Sequence, residues 1–387
     1  MKNLKVIQII FCSLVICFIS VFGFFTVINE NIYSKQEGRS LTVFPDVNKK
    51  SFMDDKFYSE LTNAYSDQLV FRSKFVSTYY HINQQRYIGN VVRGKEDQLF
   101  FAPLIVEDDK DYREDLKNFV NSDLNEMAKN ISDMGAKFIF LSIPRKDVVM
   151  DEYLPNSYVN GKENYLDYIK IIEENISSDV HLIDAYDVFE KSNLTDAFYQ
   201  TDHHVNIDGS YLIFQEIIDY INKDGKNIEV KPLEEEYIVY EKVVNGSINR
   251  NIGSTIKGRK EKLILVPKND QVEYERYDSG RESERAVFGD TDHYGVYMGG
   301  DCAETVVKTN LKGKPKILYV GSSFTNILES LSVYKFRRVV SVDYRYNNTG
   351  KDLLSYIKEN DIDYVVFIGS QSNNALDVNN LKMHLGL

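Results

Sequence analysis

The stretch Lys316-Ile317-Leu318-Tyr319-Val320-Gly321-Ser322-Ser323-Phe324 decides the fold. Its apolar first half is typical of a buried strand, and the glycine and serines that follow indicate a tight turn. A helix is predicted to begin directly after this turn. Comparable apolar runs, each predicted to form a buried strand, occupy residues 137–144, 180–184, 338–342 and 363–369.

Helical patterns separate these strands. Apolar residues at helical spacing predict helices over residues 111–134, 164–175 and 351–359, and another that begins after Asp208-Gly209. Strands that alternate with helices in this way predict an α/β fold, with a mostly parallel sheet covered by helices on both faces. Residues 234–310 depart from the alternation, because short β-rich runs are separated there by polar turns. We interpret this segment as a β-rich insertion.

The N-terminus carries a candidate membrane anchor. The segment from Val6 to Ile28 contains no charged side chain. As a helix, it is long enough to cross a bilayer. Lys2 and Lys5 precede this run and predict a cytoplasmic N-terminus, with the rest of the chain outside the membrane. The alternative is a cleaved signal peptide, but the apolar run is longer than usual and no A-x-A-like cleavage site follows it.

Three regions follow from these patterns. We predict a cytoplasmic tip and transmembrane anchor at residues 1–30, and a helical, aromatic-rich extension at 31–98. An α/β domain then occupies residues 99–387 and contains the insertion at about 234–310.

Composition excludes several classes of protein. With 43% hydrophobic and 27% charged residues among 387, the chain is neither disordered nor a multi-span membrane protein. A net charge of −12 argues against nucleic-acid binding, which needs a basic face. Cys302 is the one cysteine outside the anchor, so no intrachain disulfide is expected in the exported part.

The turn at Gly321-Ser322-Ser323 is a candidate catalytic position. Active sites of parallel sheets collect at the carboxyl ends of the strands. A serine between a strand and a helix can expose its hydroxyl while the N–H groups of the helix face a developing oxyanion. The alternative is that Ser322 or Ser323 only caps the helix.

A second motif, Thr201-Asp202-His203-His204, offers the partners that a nucleophilic serine needs. Such a serine requires a base, and the base requires an orienting carboxylate. The alternatives are a capping aspartate with solvated histidines, or a metal site, although no further ligand cluster accompanies the motif.

Further polar residues follow other strands or lie in loops. Arg145, Lys146 and Arg345 are cations near predicted strand ends, and surface salt bridges are their ordinary role. The loop Tyr297-Met298-Gly299-Gly300-Asp301 is the remaining cluster.

Together these motifs resemble a known family. The resemblance rests on the order of four segments: residues 37–45 (EGRSLTVFP), residues 67–72 (DQLVFR), Thr201-Asp202-His203-His204-Val205 and Gly321-Ser322-Ser323-Phe324. In this order the chain resembles the bacterial DHHW proteins, relatives of the AlgJ/AlgX-type polysaccharide O-acetyltransferases in the SGNH-hydrolase-like superfamily. The similarity extends from about residue 37 to 372 and implies an SGNH-like fold.

The resemblance also implies roles for residues. Asp202 orients His204, His204 acts as base, and Ser323 is the nucleophile. Arg345, in a segment similar to the family's I-D-x-R-Y, is a weaker candidate for contact with substrate or oxyanion. The other weaker candidates for these contacts are Ser322, His203 and Tyr297. Two residues depart from the family pattern: Val205 replaces a tryptophan, and Ser322 replaces the aspartate that precedes the nucleophile.

The function implied is an extracytoplasmic O-acyltransferase, most simply an O-acetyltransferase, acting on a cell-surface or secreted polysaccharide through an acyl-serine. No cofactor or metal is expected. The resemblance implies a multi-span membrane acyltransferase as the acyl-donor partner. A carbohydrate esterase on the same site is one alternative, and a non-catalytic polysaccharide-binding or assembly protein is another. The changes at Ser322 and Val205 favour the latter.

Overall fold

The structure, a computed structural model, describes residues 2–28, 30–34, 39–46, 55–72, 74–75, 78, 87–88, 90–102, 110–156, 158, 161–267, 269, 271–282, 294–347, 350–370 and 378–387. The chain divides into two compact units, residues 1–88 with 249–257 and residues 89–248 with 258–387.

The first unit contains the apolar N-terminal helix. Its elements are α1 (Lys2–Ile28), β1 (Tyr33–Ser34), β2 (Arg39–Ser40), α2 (Asp55–Gln68) and β3 (Tyr87–Ile88). Over Ile9–Ile28 the mean hydropathy is 2.6 and only 6% of the residues are buried. An apolar helix of this length that exposes its side chains is compatible with a single membrane span. Part of the helical extension predicted for residues 31–98 lies outside the described residues.

The second unit holds the α/β domain. Its elements in chain order are β4 (Val91–Arg93), β5 (Leu99–Phe101), α3 (Lys110–Asn118), α4 (Asn125–Asp133), β6 (Lys137–Ile143), α5 (Lys146–Val149), α6 (Lys162–Asn175), β7 (Val180–Asp184), α7 (Ala185–Lys191), α8 (Ile207–Asn222), α9 (Leu233–Glu236), β8 (Ile238–Val243), α10 (Ser247–Asn251), β9 (Lys260–Leu265), β10 (Tyr274–Asp278), β11 (Arg281–Glu282), β12 (Glu304–Thr309), β13 (Lys316–Val320), α11 (Thr325–Ser332), β14 (Arg338–Val342), α12 (Leu353–Asn360), β15 (Tyr364–Ser370) and α13 (Val378–Leu385).

The central sheet has the order β11-β10-β12-β14-β13-β15-β6-β7. The five strands from β14 to β7 are parallel, as the alternation of strands and helices predicts. Side chains alternate along β13: Ile317 and Tyr319 enter one core cluster, and Leu318 and Val320 enter the other. Both faces of the sheet are therefore covered, which confirms the predicted α/β class.

The segment interpreted as an insertion extends this sheet. Strand β12 pairs antiparallel with β14, and β10 and β11 continue outward from it, so the sheet is mixed. Antiparallel addition covers the edge that β14 would otherwise expose. Strands β8 and β9 instead form a separate antiparallel pair.

The predicted helix 111–134 contains a π-helical turn at Phe119–Leu124, between α3 and α4. The turn leaves Phe119, Val120 and Leu124 all buried. A regular 3.6-residue repeat does not reveal such a turn, because the extra residue rotates all later side chains by about 100° around the helix axis.

A buried carboxyl group on α11 predicts pH-dependent stability. Burial raises the pKa of Glu329 to about 7, against the hydrogen bond to Ser341 and the charge of Arg276. Since the folded state holds the proton and the unfolded chain releases it near pH 4.3, stability falls as pH rises through this window. We therefore expect Glu329→Gln to stabilise the protein by roughly 2–3 kcal/mol at pH 8 and by much less at pH 5. Thermal unfolding at both pH values measures this, and equal gains at both would contradict it.

Candidate active site

Ser323 lies where β13 passes into α11. Thr325 N donates to Ser322 O at 2.9 Å and Asn326 N donates to Ser323 O at 3.2 Å, which closes the turn. Ser322 and Phe324 are buried, whereas Ser323 is partly exposed. The N-cap position of α11 is Phe324, which makes no side-chain cap hydrogen bond, so neither serine occupies that position.

The acid–base motif lies on a narrow loop. An antiparallel bridge joins Phe198 to Val205, and Tyr199 N donates to His204 O at 3.2 Å. Gly246 packs against this loop so closely that a Cβ there would lie 2.3 Å from Thr201 O. A side chain at Gly246 would therefore displace the loop.

The loop and the serine turn meet in an unbroken line of hydrogen bonds. His204 Nε2 lies 2.7 Å from Ser323 Oγ, and His204 Nδ1 lies 2.7 Å from Asp202 Oδ1. Residues far apart in sequence thus form the serine–base–carboxylate arrangement of nucleophilic catalysis. In this geometry the imidazole can accept the serine proton while the carboxylate holds its other nitrogen protonated.

The Asp202 side chain is completely buried, and hydrogen bonds compensate for the burial of its carboxylate. Its carboxylate also accepts the backbone N–H groups of His203 at 2.7 Å, His204 at 3.1 Å and Ser247 at 2.7 Å. Burial by itself raises the pKa of Asp202, but the charge and hydrogen bond of His204, with His203 and Ser247, hold it well below its usual value. The group is therefore a carboxylate at neutral pH, as an orienting residue must be.

Tyr294 completes the packing around the base. Its ring stacks on the His204 imidazole with centroids 3.7 Å apart and planes within 4°, and Phe324 packs at 4.8 Å. Val205, which replaces the family's tryptophan, instead lies in the core. Tyr294 lies 90 positions from His204 in the sequence, and no local pattern marks it as part of the site.

We expect the Tyr294 stack to matter more than its hydroxyl. Tyr294→Phe should retain most activity, because the aromatic face is kept. Tyr294→Ala should lower kcat by about tenfold to a hundredfold, because an imidazole that is free to rotate loses its alignment with Ser323. Initial rates with an activated acetyl ester test this, and equal rates in the two variants would show that the stack does not position the base.

His203 is hydrogen bonded to a different hydroxyl group, that of Ser247. Its Nδ1 lies 2.8 Å from Ser247 Oγ, and its ring lies 5.6 Å from that of Phe101. Potential metal-ligand atoms of Asp202, His203 and His204 lie within 4.8 Å of one another. Hydrogen bonds already engage Asp202 Oδ1 and both ring nitrogens of His204, so the geometry favours the serine arrangement over the metal alternative.

The weaker candidates occupy different environments. Arg345 pairs with Asp343 at 2.5 Å and lies 3.4 Å from Asp301, whose other oxygen accepts from Asn326 at 3.0 Å at the start of α11. Tyr297 is 1% exposed. Its hydroxyl lies 2.6 Å from that of Tyr199. Tyr297 is therefore enclosed beside Tyr199, and the substrate contact expected of it stays a prediction.

Two cations after β6 are not on the surface. Arg145 pairs with Asp147 at 2.7 Å, with their side chains 8% and 2% exposed, and Lys146 is 5% exposed. The expectation of surface salt bridges is therefore wrong for both cations. They line a small pocket that His203 and Phe324 also border.

Comparisons with known proteins identify the family of this domain and support its fold. A family model described as an SGNH hydrolase-like domain of the acetyltransferase AlgX matches residues 91–339. A crystal structure of a DHHW family protein from Eubacterium siraeum DSM 15702 is 19% identical, with a TM-score of 0.59, and covers 76% of this chain and 94% of its own. The search of curated proteins gave no match.

A second similar structure is PatB1 of Bacillus cereus. It is 19% identical, with a TM-score of 0.58, and the similarity covers 74% of this chain and 99% of that one. PatB1 is also known with a sulfonyl adduct, at 19% identity, a TM-score of 0.57 and coverage of 74% and 96%. These two likenesses support the fold. Because the family model spans more than half of the chain, the protein belongs to the AlgX-type family of SGNH hydrolase-like acetyltransferase domains.

Proposed function

We propose that this protein is an O-acetyltransferase that modifies a cell-surface or secreted polysaccharide through an acetyl-Ser323 intermediate. One observation carries the proposal: the 2.7 Å contacts that join Ser323 to His204 and His204 to Asp202. Membership of a polysaccharide acetyltransferase-type family supports the choice of reaction and acceptor. The chemistry needs no cofactor.

The proposed reaction has two steps. Ser323 Oγ attacks the carbonyl carbon of an acetyl donor while His204 takes its proton, and the donor group leaves with that proton. A sugar hydroxyl then attacks the acetyl-serine, His204 takes the hydroxyl proton, and Ser323 recovers it as the ester transfers. The proposal assigns the stabilisation of each oxyanion to backbone N–H groups of the turn at Ser323. Arg345 is proposed only as a more distant contact for substrate.

Two other functions share this fold. An esterase would use water in the second step, and a non-catalytic binding protein would not form the acyl-serine at all. The three hydrogen-bonded side chains favour an enzyme over the binding protein, since a binding role does not require them.

The test is an incubation of the full-length protein in detergent with an activated acetyl ester. Mass spectrometry should find one acetyl group on Ser323, and added polysaccharide should remove it faster than water does. Removal at the same rate with and without polysaccharide supports the esterase instead. Without any acetyl-serine, the enzymatic proposal fails.

The exposed apolar helix α1 motivates a prediction of topology. We propose that it anchors the protein with its N-terminus in the cytoplasm and the α/β domain outside, where a multi-span membrane acyltransferase supplies the acyl group. Protease added to intact, wall-stripped cells should digest the domain, while the protein sediments with membranes. Protection of the C-terminus until the membrane is permeabilised would reverse this orientation.

A further inference from the structure

Lys146 lies beneath the loop that carries Asp202 and His204. It is the first residue of α5, just beyond the carboxyl end of β6. Its ammonium group donates to the carbonyl oxygens of Tyr199 at 2.6 Å, Gln200 at 2.7 Å and Asp202 at 3.4 Å. An ammonium has three N–H bonds, so these carbonyls can occupy all of them. Nothing in the proposed reaction yet uses this buried cation.

The same loop is held from the other side by a carboxylate. Glu261 on β9 accepts a hydrogen bond from Gln200 N at 2.7 Å. Burial lowers the pKa of Lys146 to about 7 and raises the pKa of Glu261 to about 7, and the negative charge that Glu261 carries once ionised opposes the fall at Lys146. The other charges that act on Lys146 are those of Asp202, Asp196 and Arg259. The Phe100 ring lies 5.1 Å from its nitrogen.

We propose that Lys146 is a positioning residue for acyl transfer, whose protonated ammonium holds the loop at residues 199–204 so that His204 meets Ser323. The inference rests on the proposed function of that site. A neutral amine has two N–H bonds and one lone pair, so it can donate to only two of the three carbonyls, and its lone pair then faces and repels the third carbonyl oxygen. The longest bond, to Asp202, is the first to be lost. Catalysis is sensitive to such shifts, because a displacement of about 1 Å can cost a hundredfold in rate.

The first test measures sulfonylation of Ser323 by phenylmethylsulfonyl fluoride in the full-length protein, followed by intact-mass spectrometry. Lys146→Met should slow this reaction at least tenfold at pH 7. With an activated acetyl ester, kcat should fall while KM changes less than twofold, because Lys146 touches no substrate. The matched control is Lys335→Met, which removes another largely buried lysine that donates to a backbone carbonyl, Glu229 O, at 2.7 Å. It should react within twofold of the wild type.

The second test measures the sulfonylation rate as a function of pH and does not depend on the stability of Lys146→Met. In the wild type this rate should decrease at alkaline pH as Lys146 loses its proton. Glu261→Gln keeps an oxygen for Gln200 N but removes the negative charge, so the pKa of Lys146 should drop and the alkaline fall should move about one pH unit lower.

The outcomes separate the two proposals. If wild-type Ser323 is not sulfonylated, the proposed function fails. If it is sulfonylated, an unchanged sulfonylation rate in Lys146→Met overturns the positioning role. The same holds if the rate of Glu261→Gln decreases at the same alkaline pH as that of the wild type. If Lys146→Met does not fold, the pH profile of Glu261→Gln decides.

Discussion

Ser323→Ala and the double variant Ser323→Ala/His204→Ala are expected to be equally inactive, each on the order of 10⁴-fold or more below wild type in kcat. The two side chains act as one unit, because His204 Nε2 lies 2.7 Å from Ser323 Oγ and a serine hydroxyl without its base is a weak nucleophile. Losses within such a unit do not add. Rates with an activated acetyl ester, for the two single variants and the double variant, test this.

Ser322→Ala is the matched control for this experiment. It deletes the neighbouring hydroxyl, but Ser322 is buried and it is Ser323 that contacts the imidazole. The control variant should therefore keep most of its activity. Additive losses in the double variant, or an acetyl group found on Ser322, would remove Ser323 from the role of nucleophile.

Asp202→Asn is expected to lower kcat by about 10³–10⁴-fold. The carboxylate accepts from His204 Nδ1 at 2.7 Å and so fixes which ring nitrogen faces the serine. An amide can present its NH₂ group instead, which would stabilise the wrong tautomer. In that orientation the NH₂ group would also face the backbone N–H groups of His203 and His204, which now donate to Oδ1, so we expect a lower melting temperature as well.

His203→Ala is the comparison for Asp202→Asn and for His204→Ala. The Nδ1 atom of His203 contacts Ser247 Oγ at 2.8 Å, whereas His204 is the base in contact with Ser323, so the loss of His203 should cost about tenfold or less. Melting curves of each variant distinguish lost chemistry from lost folding. Equal inactivation of the His203 and His204 variants, together with metal in the purified wild type, would favour the metal alternative considered from the sequence.

Local pattern was enough to predict the parallel part of the sheet. Strands β7, β13 and β14 begin and end at the predicted residues, and β6 and β15 lie within one residue of the predicted bounds. This works because apolar runs of five to seven residues bounded by turns leave few other options for a buried strand. The family was also evident from the order of the Asp202–His204 motif and the turn at Ser323, and the family model confirms it.

Other features depend on contacts that no local pattern records. Strand β12 joins the sheet by pairing with the edge of β14, and β10 then pairs with β12. Tyr294 stacks on His204 from 90 positions away, and Lys146 reaches the carbonyl oxygens of a loop that begins 53 positions later.

The sequence by itself determined the alternation of strands and helices, the apolar N-terminal segment, and the chemical identity of a serine, a base and a carboxylate in a family-specific order. The tertiary structure decided whether these three groups meet, which aromatic ring covers the base, and which buried cation supports the loop. The physical reason is that periodicity and turn chemistry act between neighbours in the chain. Packing, desolvation and hydrogen bonds between distant segments arise only when the sheet and its loops have come together.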